Sequence, residues 1–395
     1  GVKFDRILDG FDGPFEKLPD VVTLSAKAAP AARGGAYVID ARINDAFIAV
    51  NRLLKAKQQV SRATGPITVN GKSMPAGSFL IPATPESTPI VEKVAAEKGL
   101  PVESVQNVAT GERAPIALKP VRIGLWDQYG GSMPSGWTRW LFEQFEFPFE
   151  VVFPQTLDAG NLNAKFDVLV FVDGAIPARD QQQGAGGGGG FGGGQPAADS
   201  IPAEFQGWLG RVTVARTVPE LKKFVENGGT ILTIGSSTTL GYHFGLPIKD
   251  ALVERVNGAE RPLPREKFYV PGSILDARVD TANPLAYGMP EHATVFYDES
   301  PAFRLEPEAA LKGVRPVAWY DSPTPLRSGW AWGQQYLDQA VSIIEAPVGK
   351  GRVVLFGNEV NWRGQPHGTF KLLFNGIYLN AAAGSTAMRT TDQQR

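Results

Sequence analysis

The feature that most constrains the fold is the alternation of short apolar runs with amphipathic segments between residues 121 and 236. Four apolar runs predict buried strands: VRIGLW (121–126), FEVVFP (149–154), DVLVFVD (167–173) and TILTIGS (230–236). Two segments between them predict helices: SGWTRWLFEQFEF (135–147), with Ser135 as N-cap, and PELKKFVENGG (219–229). This order predicts an α/β fold with a doubly wound, mostly parallel sheet and right-handed connections.

A smaller unit, residues 35–119, precedes the alternating region. Its pattern predicts a strand at 36–40, a helix at 44–56 capped near Asn44 or Asp45, a hairpin at 66–82 centred on Asn70-Gly71, and a helix at 87–100 that ends at Gly99. The mixture predicts a small α+β domain that ends near Lys119-Pro120.

The remaining boundaries follow from composition and periodicity. Residues 1–34 are weakly periodic and predict an extension or linker, and residues 384–395 predict a frayed tail. The main domain then spans 120–383, closing with a hairpin at 339–359 and a helix at 368–383. Within it, the Pro- and Trp-rich segment 246–335 is interpreted as an insertion or a lid.

The segment QQQGAGGGGGFGGGQP (181–196) contains formal matches to G-x-G-x-x-G. A dinucleotide loop needs a few glycines fixed in a tight strand-to-helix turn. A nearly continuous glycine run has too much backbone entropy to hold that geometry. We therefore expect a mobile surface loop here, and no phosphate site.

Bulk composition limits the possible partners. The formal net charge of −1 gives no sign of nucleic-acid binding, and no apolar run reaches the roughly 18 residues of a membrane helix. The chain contains no cysteine, so disulfides, thiolate metal sites and cysteine nucleophiles are excluded. Its start lacks the basic-then-apolar order of a leader, which favours a mature or excised segment.

No metal site is expected in this chain. The three histidines are His243, His292 and His367, and none belongs to an H-x-x-E, H-x-H or H-x-x-x-H pattern. The sequence also has no calcium loop of the form D-x-[DN]-x-[DN]-G.

The turn after the run at 230–236 is a candidate catalytic site. Ser236 and Ser237 lie where an α/β hydrolase places its nucleophile, although the G-x-S-x-G pattern is broken by Thr238 and Thr239. A serine needs a hydrogen-bonded base, for which His243 is the nearest histidine in sequence and His367 a further candidate. The alternative is that both hydroxyls cap the next helix or bind water.

The stretch GLWDQYGGSMPSGWTRW (124–140) is a candidate binding site. Asp127 and Tyr129 follow the first strand of the sheet, where open α/β folds have their ligand crevice, and Trp137 and Arg139 follow in the next helix. The alternative is that the tryptophans are packing residues and that Arg139 pairs with a carboxylate.

The loop GNEVNWRGQPHGTF (357–370) is predicted to lie at the same edge of the sheet. It contains Glu359, Asn361, Arg363 and His367, the densest group of polar side chains in the sequence. Ligand binding, domain docking and hydrogen bonding within the loop all remain possible roles.

Two long stretches resemble a known family. VRIGLWDQYGGSMPSGWTRWLFEQFEFPFEVVFPQTLDAGNL and GKGRVVLFGNEVNWRGQPHGTFKLLFNGIY resemble the C-terminal half of large secreted bacterial zinc carboxypeptidase-like proteins of peptidase family M14. GVKFDRILDGFDGPFEKL resembles the segment after their catalytic domain, and AYVIDARINDAFIAVNRLLKA with PAGSFLIP resembles the unit that links the halves.

The resemblance implies a class I glutamine-amidotransferase-like domain with a flavodoxin-type sheet. It also implies that zinc binds to an N-terminal catalytic domain outside this sequence, that this domain is a partner of the chain, and that the protein is secreted or periplasmic. The amidotransferase-like half would use an elbow cysteine and a later H-x-E. This sequence has Ser236 or Ser237 at the elbow, and Gly368-Thr369 after His367.

Three functions are therefore compatible with the sequence. The first is a non-catalytic accessory region of an exported M14-type metallopeptidase that docks, shapes or presents substrate, with a peptide as a possible ligand. The second is a small serine-dependent hydrolase or transferase. The third is a carbohydrate- or peptide-binding module built on tryptophans, although we expect these to be core residues; they are Trp137, Trp330, Trp332 and Trp362.

Overall fold

The computed structural model describes residues 8–17, 26, 28, 35–106, 114–180 and 195–380. Most of the predicted extension, the glycine-rich stretch up to residue 194 and the predicted tail lie outside these residues. In the described part of the chain, no helix has the length and apolar character needed to cross a bilayer.

The first unit is an α+β arrangement. Its elements are β1 (Ala36–Ile39), α1 (Ala46–Lys55), β2 (Ser61–Arg62), β3 (Ile67–Val69), β4 (Lys72–Met74), β5 (Phe79–Pro82), α2 (Ser87–Lys98), β6 (Glu103–Val105) and β7 (Ile116–Ala117). Five strands form an antiparallel sheet in the order β6-β1-β5-β2-β7, and β3 and β4 form a separate hairpin. Asn70 and Gly71 turn this hairpin with φ values of 49° and 78°, as a tight two-residue turn requires.

The second unit begins with strand–helix alternation. Its first elements are β8 (Ile123–Trp126), α3 (Met133–Gln144), β9 (Phe149–Val152), α4 (Pro154–Asp158), β10 (Val168–Phe171), α5 (Ala203–Gln206), α6 (Thr217–Glu226), β11 (Thr230–Ile234) and α7 (Leu240–His243). Strands β8, β10 and β11 are buried at every residue, as expected for strands covered on both faces.

Helix α3 starts earlier than the sequence suggested. Ser132 is the N-cap, its Oγ accepts a hydrogen bond from the Ser135 backbone N–H at 3.4 Å, and Pro134 lies in the first turn, where its missing N–H costs nothing. Ser135 itself is buried, and its Oγ donates to the Trp126 carbonyl oxygen at 2.9 Å. The prediction of Ser135 as N-cap was therefore wrong.

The segment 246–335 adds strands to the sheet. The remaining elements are β12 (Ile248–Asp250), β13 (Val253–Val256), β14 (Ala259–Pro262), β15 (Pro271–Val279), β16 (His292–Asp298), β17 (Phe303–Leu305), β18 (Arg315–Trp319), β19 (Leu326–Ser328), β20 (Val341–Val348), β21 (Gly351–Phe356) and α8 (Phe370–Ile377). Most of the strands between β11 and β20 join the large sheet, which a lid would not do.

The large sheet is mixed. Its main path runs β16-β15-β18-β20-β21-β11-β10-β8-β9, and the pairs from β21 to β9 are parallel whereas those from β16 to β21 are antiparallel. The prediction of a mostly parallel sheet therefore holds only for the strands from β21 to β9. The hairpin predicted at 339–359 is the antiparallel pair of β20 and β21.

The two units share one hydrophobic core. Phe374 of α8 lies 5.1 Å from Phe47 of α1 and 4.9 Å from Phe147, measured between ring centroids. Helix α8 therefore packs against residues of both units.

Candidate functional site

A cavity of about 410 Å³ lies at the carboxyl edge of the parallel strands. Its floor comes from the residues that follow β10, β11 and β21, three neighbours in the sheet. Its walls are the start of α3, the loop after β16 and the short helical turn Trp362–Gly364. The crevice at the carboxyl ends of the strands is where an open α/β sheet usually binds its ligand.

Gly235 occupies the strained position of the turn after β11. Its φ is +59°, in the left-handed region that favours glycine. A Cβ built on Gly235 would lie 2.5 Å from Asp173 Oδ1 and 2.7 Å from Glu359 Oε1. The two carboxyl groups therefore occupy the side of Gly235 where a side chain would stand, and the turn offers no side chain at the point where an elbow would present its nucleophile.

Asp173 is held in place by the same turn. Its Oδ1 accepts hydrogen bonds from the Ser236 backbone N–H at 2.7 Å and from Ser236 Oγ at 2.6 Å. Ser236 Oγ in turn accepts from the Gly174 N–H at 2.9 Å. Asp173 Oδ2 has no hydrogen-bond donor among the described residues, so one oxygen of this carboxyl group is free for a ligand.

Glu359 and Asp298 bring two further carboxyl groups to the cavity. Burial, followed by the negative charges of Asp173 and Asp298, raises the pKa of Glu359 to about 8. Burial also raises the pKa of Asp298, with contributions from Glu299 and Asp173, and Arg363 acts in the opposite direction. Glu359 is therefore protonated at neutral pH when no cation is near.

The second serine and the nearest histidine are engaged elsewhere. Ser237 is fully buried; its Oγ accepts from the N–H groups of Ala175 and Ile176 and donates to the Val172 carbonyl oxygen. The His243 Nε2 lies 2.8 Å from the Pro177 carbonyl oxygen. Ser237 and His243 thus hold the loop that follows β10, and they are not hydrogen-bonded to each other.

Asp127 and Arg139 form part of the loop between β8 and α3. The buried Asp127 accepts hydrogen bonds at Oδ1 from the N–H groups of Gln128 and Ser132, both at 2.8 Å. Arg139 Nη1 lies 3.8 Å from Asp127 Oδ2. Neither they nor Tyr129 line the cavity. The contacts of Asp127 and Arg139 therefore stabilise the loop between β8 and α3.

Trp137, Asn361 and Arg363 do line the cavity. Asn361 is buried and donates through Nδ2 to Thr138 Oγ1 at 2.8 Å, which ties the last loop to α3. The Arg363 guanidinium lies 4.6 Å from the centroid of the Trp362 ring. Arg363 and Glu299, both at the cavity, have φ values of 47° and 44°, a conformation that costs free energy in non-glycine residues and often marks functional sites.

Three other candidates lie away from the cavity. His367 is exposed; its carbonyl oxygen accepts from Asn44 Nδ2 of the first unit at 2.8 Å, and its ring packs on Phe370. Trp330 and Trp332 are 64% and 56% exposed, so the expectation that they are core residues was wrong. Trp332 Nε1 donates to the Glu266 carbonyl oxygen.

Sequence reasoning missed Asp173 and Asp298. Asp173 ends the run DVLVFVD, and its position after a predicted parallel strand was a usable signal. Asp298 ends β16, which lies inside the segment that had no clear periodicity. Nothing in the sequence placed it beside Glu359.

The carboxyl groups do not form a metal centre by geometry. Over the ranges that the structure describes, no three His, Asp or Glu side chains are arranged to hold a metal ion. The cavity is therefore best described as an acidic pocket with aromatic walls.

Comparisons with known proteins add little to this picture. No protein-family model and no curated protein sequence matches the chain. Among solved structures, it is similar to a GMP synthase-type protein from Thermoplasma acidophilum, at 12% identity over 67% of this chain and 95% of that chain, with a TM-score of 0.38. The chain is also similar to PurLQS from Thermotoga maritima, at 15% identity over 65% of this chain and 97% of that chain, with a TM-score of 0.36.

A ThuA-like protein from Bacteroides uniformis gives 10% identity over 66% of this chain and 91% of that chain, with a TM-score of 0.35. Likeness this distant supports no statement about activity. The function is therefore argued from the residues of the cavity.

Proposed function

We propose that this chain is a non-catalytic accessory region, a module that binds peptide substrate for an exported M14-type zinc carboxypeptidase-like protein. The observation that carries the proposal is Gly235. This residue has a positive φ in the strand-to-helix turn and no side chain. Two carboxyl groups occupy the place where its side chain would stand. A site of this kind can hold a ligand, but it presents no nucleophile at the elbow.

The neighbouring side chains support binding over nucleophilic catalysis. A serine hydroxyl becomes a useful nucleophile when a base of suitable pKa takes its proton. Ser236 donates to the Asp173 carboxylate, an ordinarily weak base, and the Nε2 of His243 is bonded to a backbone carbonyl. A serine-dependent hydrolase or transferase is therefore the less favoured alternative.

The link to the M14 family rests on the sequence resemblance given above. The parallel strands follow the order β9-β8-β10-β11-β21, which is 2-1-3-4-5 in chain order. This is the order of a flavodoxin-like, doubly wound sheet and supports the amidotransferase-like assignment. Export to the periplasm or medium, and a zinc-bearing N-terminal partner domain, belong to the same proposal.

One experiment tests the accessory role directly. The purified chain is incubated with a panel of peptide, ester and amide substrates and, separately, with a serine-directed fluorophosphonate. We expect no turnover and no labelling. Turnover that persists after rigorous repurification, or labelling that Ser236→Ala or Ser237→Ala removes, would refute the proposal.

A second candidate function is favoured by one observation. Glu359, with a pKa of about 8, lies beside Asp173, and a carboxylic acid of raised pKa next to a second carboxyl group is typical of general acid–base catalysis. Aryl glycosides added to the same panel test it. Hydrolysis of a glycoside that Glu359→Gln abolishes would establish this function in place of the first.

A further inference from the structure

We propose that the cavity binds an organic cation, the ammonium group of a lysine or the guanidinium group of an arginine in a peptide, between Asp173 and Glu359. This inference rests on the binding role proposed above and specifies the chemistry of the ligand. It depends on the balance of charge in the cavity, on the carboxyl oxygens that have no donor and on the short distance between the two carboxyl groups.

The cavity has more acidic groups than basic ones. Four acidic side chains line it, and of the described residues that line it only Arg363 is basic. Glu299 is paired with Arg265 at 2.9 Å, and Arg363 lies near enough to Asp298 to oppose the rise in its pKa. Asp173 and Glu359 are then the two acidic groups of the cavity without a compensating cation.

Glu359 is the group most in need of a partner. Its side chain is largely enclosed by protein atoms and lines the cavity, yet no described residue donates a hydrogen bond to its carboxyl group. A carboxyl group that is open only to the cavity is poorly solvated, and a bound donor would stabilise it. This observation is independent of the number of acidic residues in the cavity.

The two carboxyl groups lie close to one another. Asp173 Oδ1 and Glu359 Oε1 lie 2.5 Å and 2.7 Å from the same point, the position that a Cβ of Gly235 would take, so one donor group can reach both side chains. An ammonium or guanidinium group has several N–H donors, so it can satisfy Asp173 Oδ2 and the Glu359 carboxyl together.

The walls favour an organic cation over a metal ion. The described residues contain no metal-binding geometry, as reported above, whereas Met133, Trp137 and Pro301 add apolar surface to the cavity. Lysine and arginine carry their charge on an aliphatic stem, which such surface can cover. Trp362 is less available, because Phe296 and the Arg363 guanidinium both pack against its ring.

Binding of a cation is coupled to the loss of a proton. The positive charge favours the ionised form of Glu359, whose pKa of about 8 would fall when the ligand is bound. The charged groups that face Glu359 are Asp173 and Asp298, with Glu299 and Arg363 at the rim. Affinity should therefore rise with pH from about 6 to 9, while a lysine side chain, with an unperturbed pKa of about 10.4, stays charged.

The test uses five blocked or free peptides and calorimetric titration of the full chain. Acetylated, amidated Ala-Ala-X-Ala-Ala is prepared with X as lysine, arginine, norleucine or glutamate, and unblocked penta-alanine tests an amino terminus as the source of the cation. Each is titrated into the wild-type chain and into Asp173→Asn and Glu359→Gln. Glu92→Gln, at an exposed residue of α2, removes the same charge elsewhere and is the matched control.

We expect the lysine or arginine peptide to bind at least tenfold more tightly than the norleucine peptide. Asp173→Asn and Glu359→Gln should each weaken this binding at least tenfold, Glu359→Gln should remove its pH dependence, and Glu92→Gln should change it by less than twofold. The Asp173→Asn side chain keeps the Oδ1 acceptor for Ser236, and unfolding curves of each variant report whether it is folded.

Equal affinity for the lysine and norleucine peptides, or binding that Asp173→Asn leaves unchanged in a folded protein, would overturn the inference. Selective binding of penta-alanine with a free terminus would keep the cation site and reassign its source. If no peptide binds while the chain remains inert in the substrate panel, this inference fails and the non-catalytic role stands. Turnover in that panel refutes the proposed function instead.

Discussion

Asp173 and Glu359 converge on the side of Gly235 where a side chain would stand, so close that a single added methyl group would meet both carboxyl groups. They follow different strands, β10 and β21, with β11 between them in the sheet. Because Ser236 satisfies Asp173 from the backbone and the hydroxyl, whereas no described residue donates to Glu359, the two carboxyl groups have unequal environments. Burial and the neighbouring negative charges raise the pKa of Glu359 to about 8.

This arrangement makes stability depend on pH. The folded-state pKa of Glu359, about 8, is above the ordinary glutamate value of 4.5, so the folded state binds more protons than the unfolded state between these limits. Stability should fall as pH rises through this window. We expect the free energy of unfolding of the wild-type chain to fall by about 2–4 kcal/mol between pH 5 and 8 because of Glu359. The Glu359→Gln variant should not show this decrease when urea unfolding is measured at each pH.

The remaining pH dependence of Glu359→Gln serves as the internal reference, since Asp298 also has a raised pKa and still titrates. Parallel stability curves for the wild-type chain and Glu359→Gln across pH 5–8 would show that Glu359 is not the proton carrier.

Gly235→Ala should destabilise the chain through two separable effects. The alanine would adopt a φ of +59°, and its Cβ would meet Asp173 Oδ1 at 2.5 Å and Glu359 Oε1 at 2.7 Å. Gly245→Ala is a matched control, because Gly245 has a φ of +67° and open space where its Cβ would lie.

Strain from a positive φ costs about 1–2 kcal/mol in either variant, and the crowding at Gly235 should add about 1–3 kcal/mol. Thermal and denaturant unfolding measure both variants. If Gly235→Ala and Gly245→Ala lost the same free energy of unfolding, the two carboxyl groups would move aside without cost. The expected effect of crowding at Gly235 would then be wrong.

The sequence was most informative where strands are buried on both faces. The runs that form β8, β10 and β11 are continuous and apolar, so their existence and their parallel pairing could be predicted without knowledge of the rest. The hairpin at Asn70-Gly71 was equally clear, because few residue pairs fit two consecutive positive φ values.

The antiparallel half of the sheet could not be predicted in this way. Its longest strand, β15, alternates buried and half-buried residues but contains Gly272 and an irregular register near Pro271, which weaken the pattern. Asp298 is the last residue of β16, in this half of the sheet. The sequence alone therefore could not predict that it lines the cavity. The sequence singled out Trp137, Ser236 and the loop of Glu359 as candidates, but nothing in it brought them together with Asp173 and Asp298.

Ser237→Ala should affect stability without any effect on reactivity. The Ser237 hydroxyl is fully buried and makes three hydrogen bonds to the backbone at Val172, Ala175 and Ile176. Its loss leaves the Ile176 N–H without an acceptor, whereas the Ala175 N–H keeps the Val172 carbonyl oxygen at 3.2 Å, and should cost about 1–3 kcal/mol. Ser236→Ala, at an exposed hydroxyl, should cost about 1 kcal/mol or less.

Urea unfolding measures both serine variants, and fluorophosphonate labelling of the wild-type chain measures reactivity. If Ser236→Ala were the more destabilising of the two, the structural role assigned to Ser237 would be wrong.

Asn375 links the two units of the chain through a buried arginine. Its Oδ1 accepts from Arg62 of the first unit, and its Nδ2 donates to the carbonyl oxygens of Leu285 and Tyr287, both at 2.9 Å. Burial lowers the pKa of Arg62, and its guanidinium has no carboxylate partner among the described ion pairs. Arg62 keeps the Gly77 carbonyl oxygen at 3.2 Å in Asn375→Leu. The variant still loses one acceptor of a buried charge and the donor to two buried carbonyl oxygens, which should together cost about 3–5 kcal/mol.

The double variant Arg62→Met, Asn375→Leu removes the charge as well and should recover about 1–3 kcal/mol of that loss. Both variants should still unfold in a single transition, because Phe47 and Phe374 belong to one core that spans the units. Calorimetry of the wild-type chain and the variants measures both quantities. Additive losses in the double variant would contradict the coupling between Arg62 and Asn375. Two separate unfolding transitions in the wild-type chain would contradict the shared core, because the first unit would then unfold while α8 stays folded.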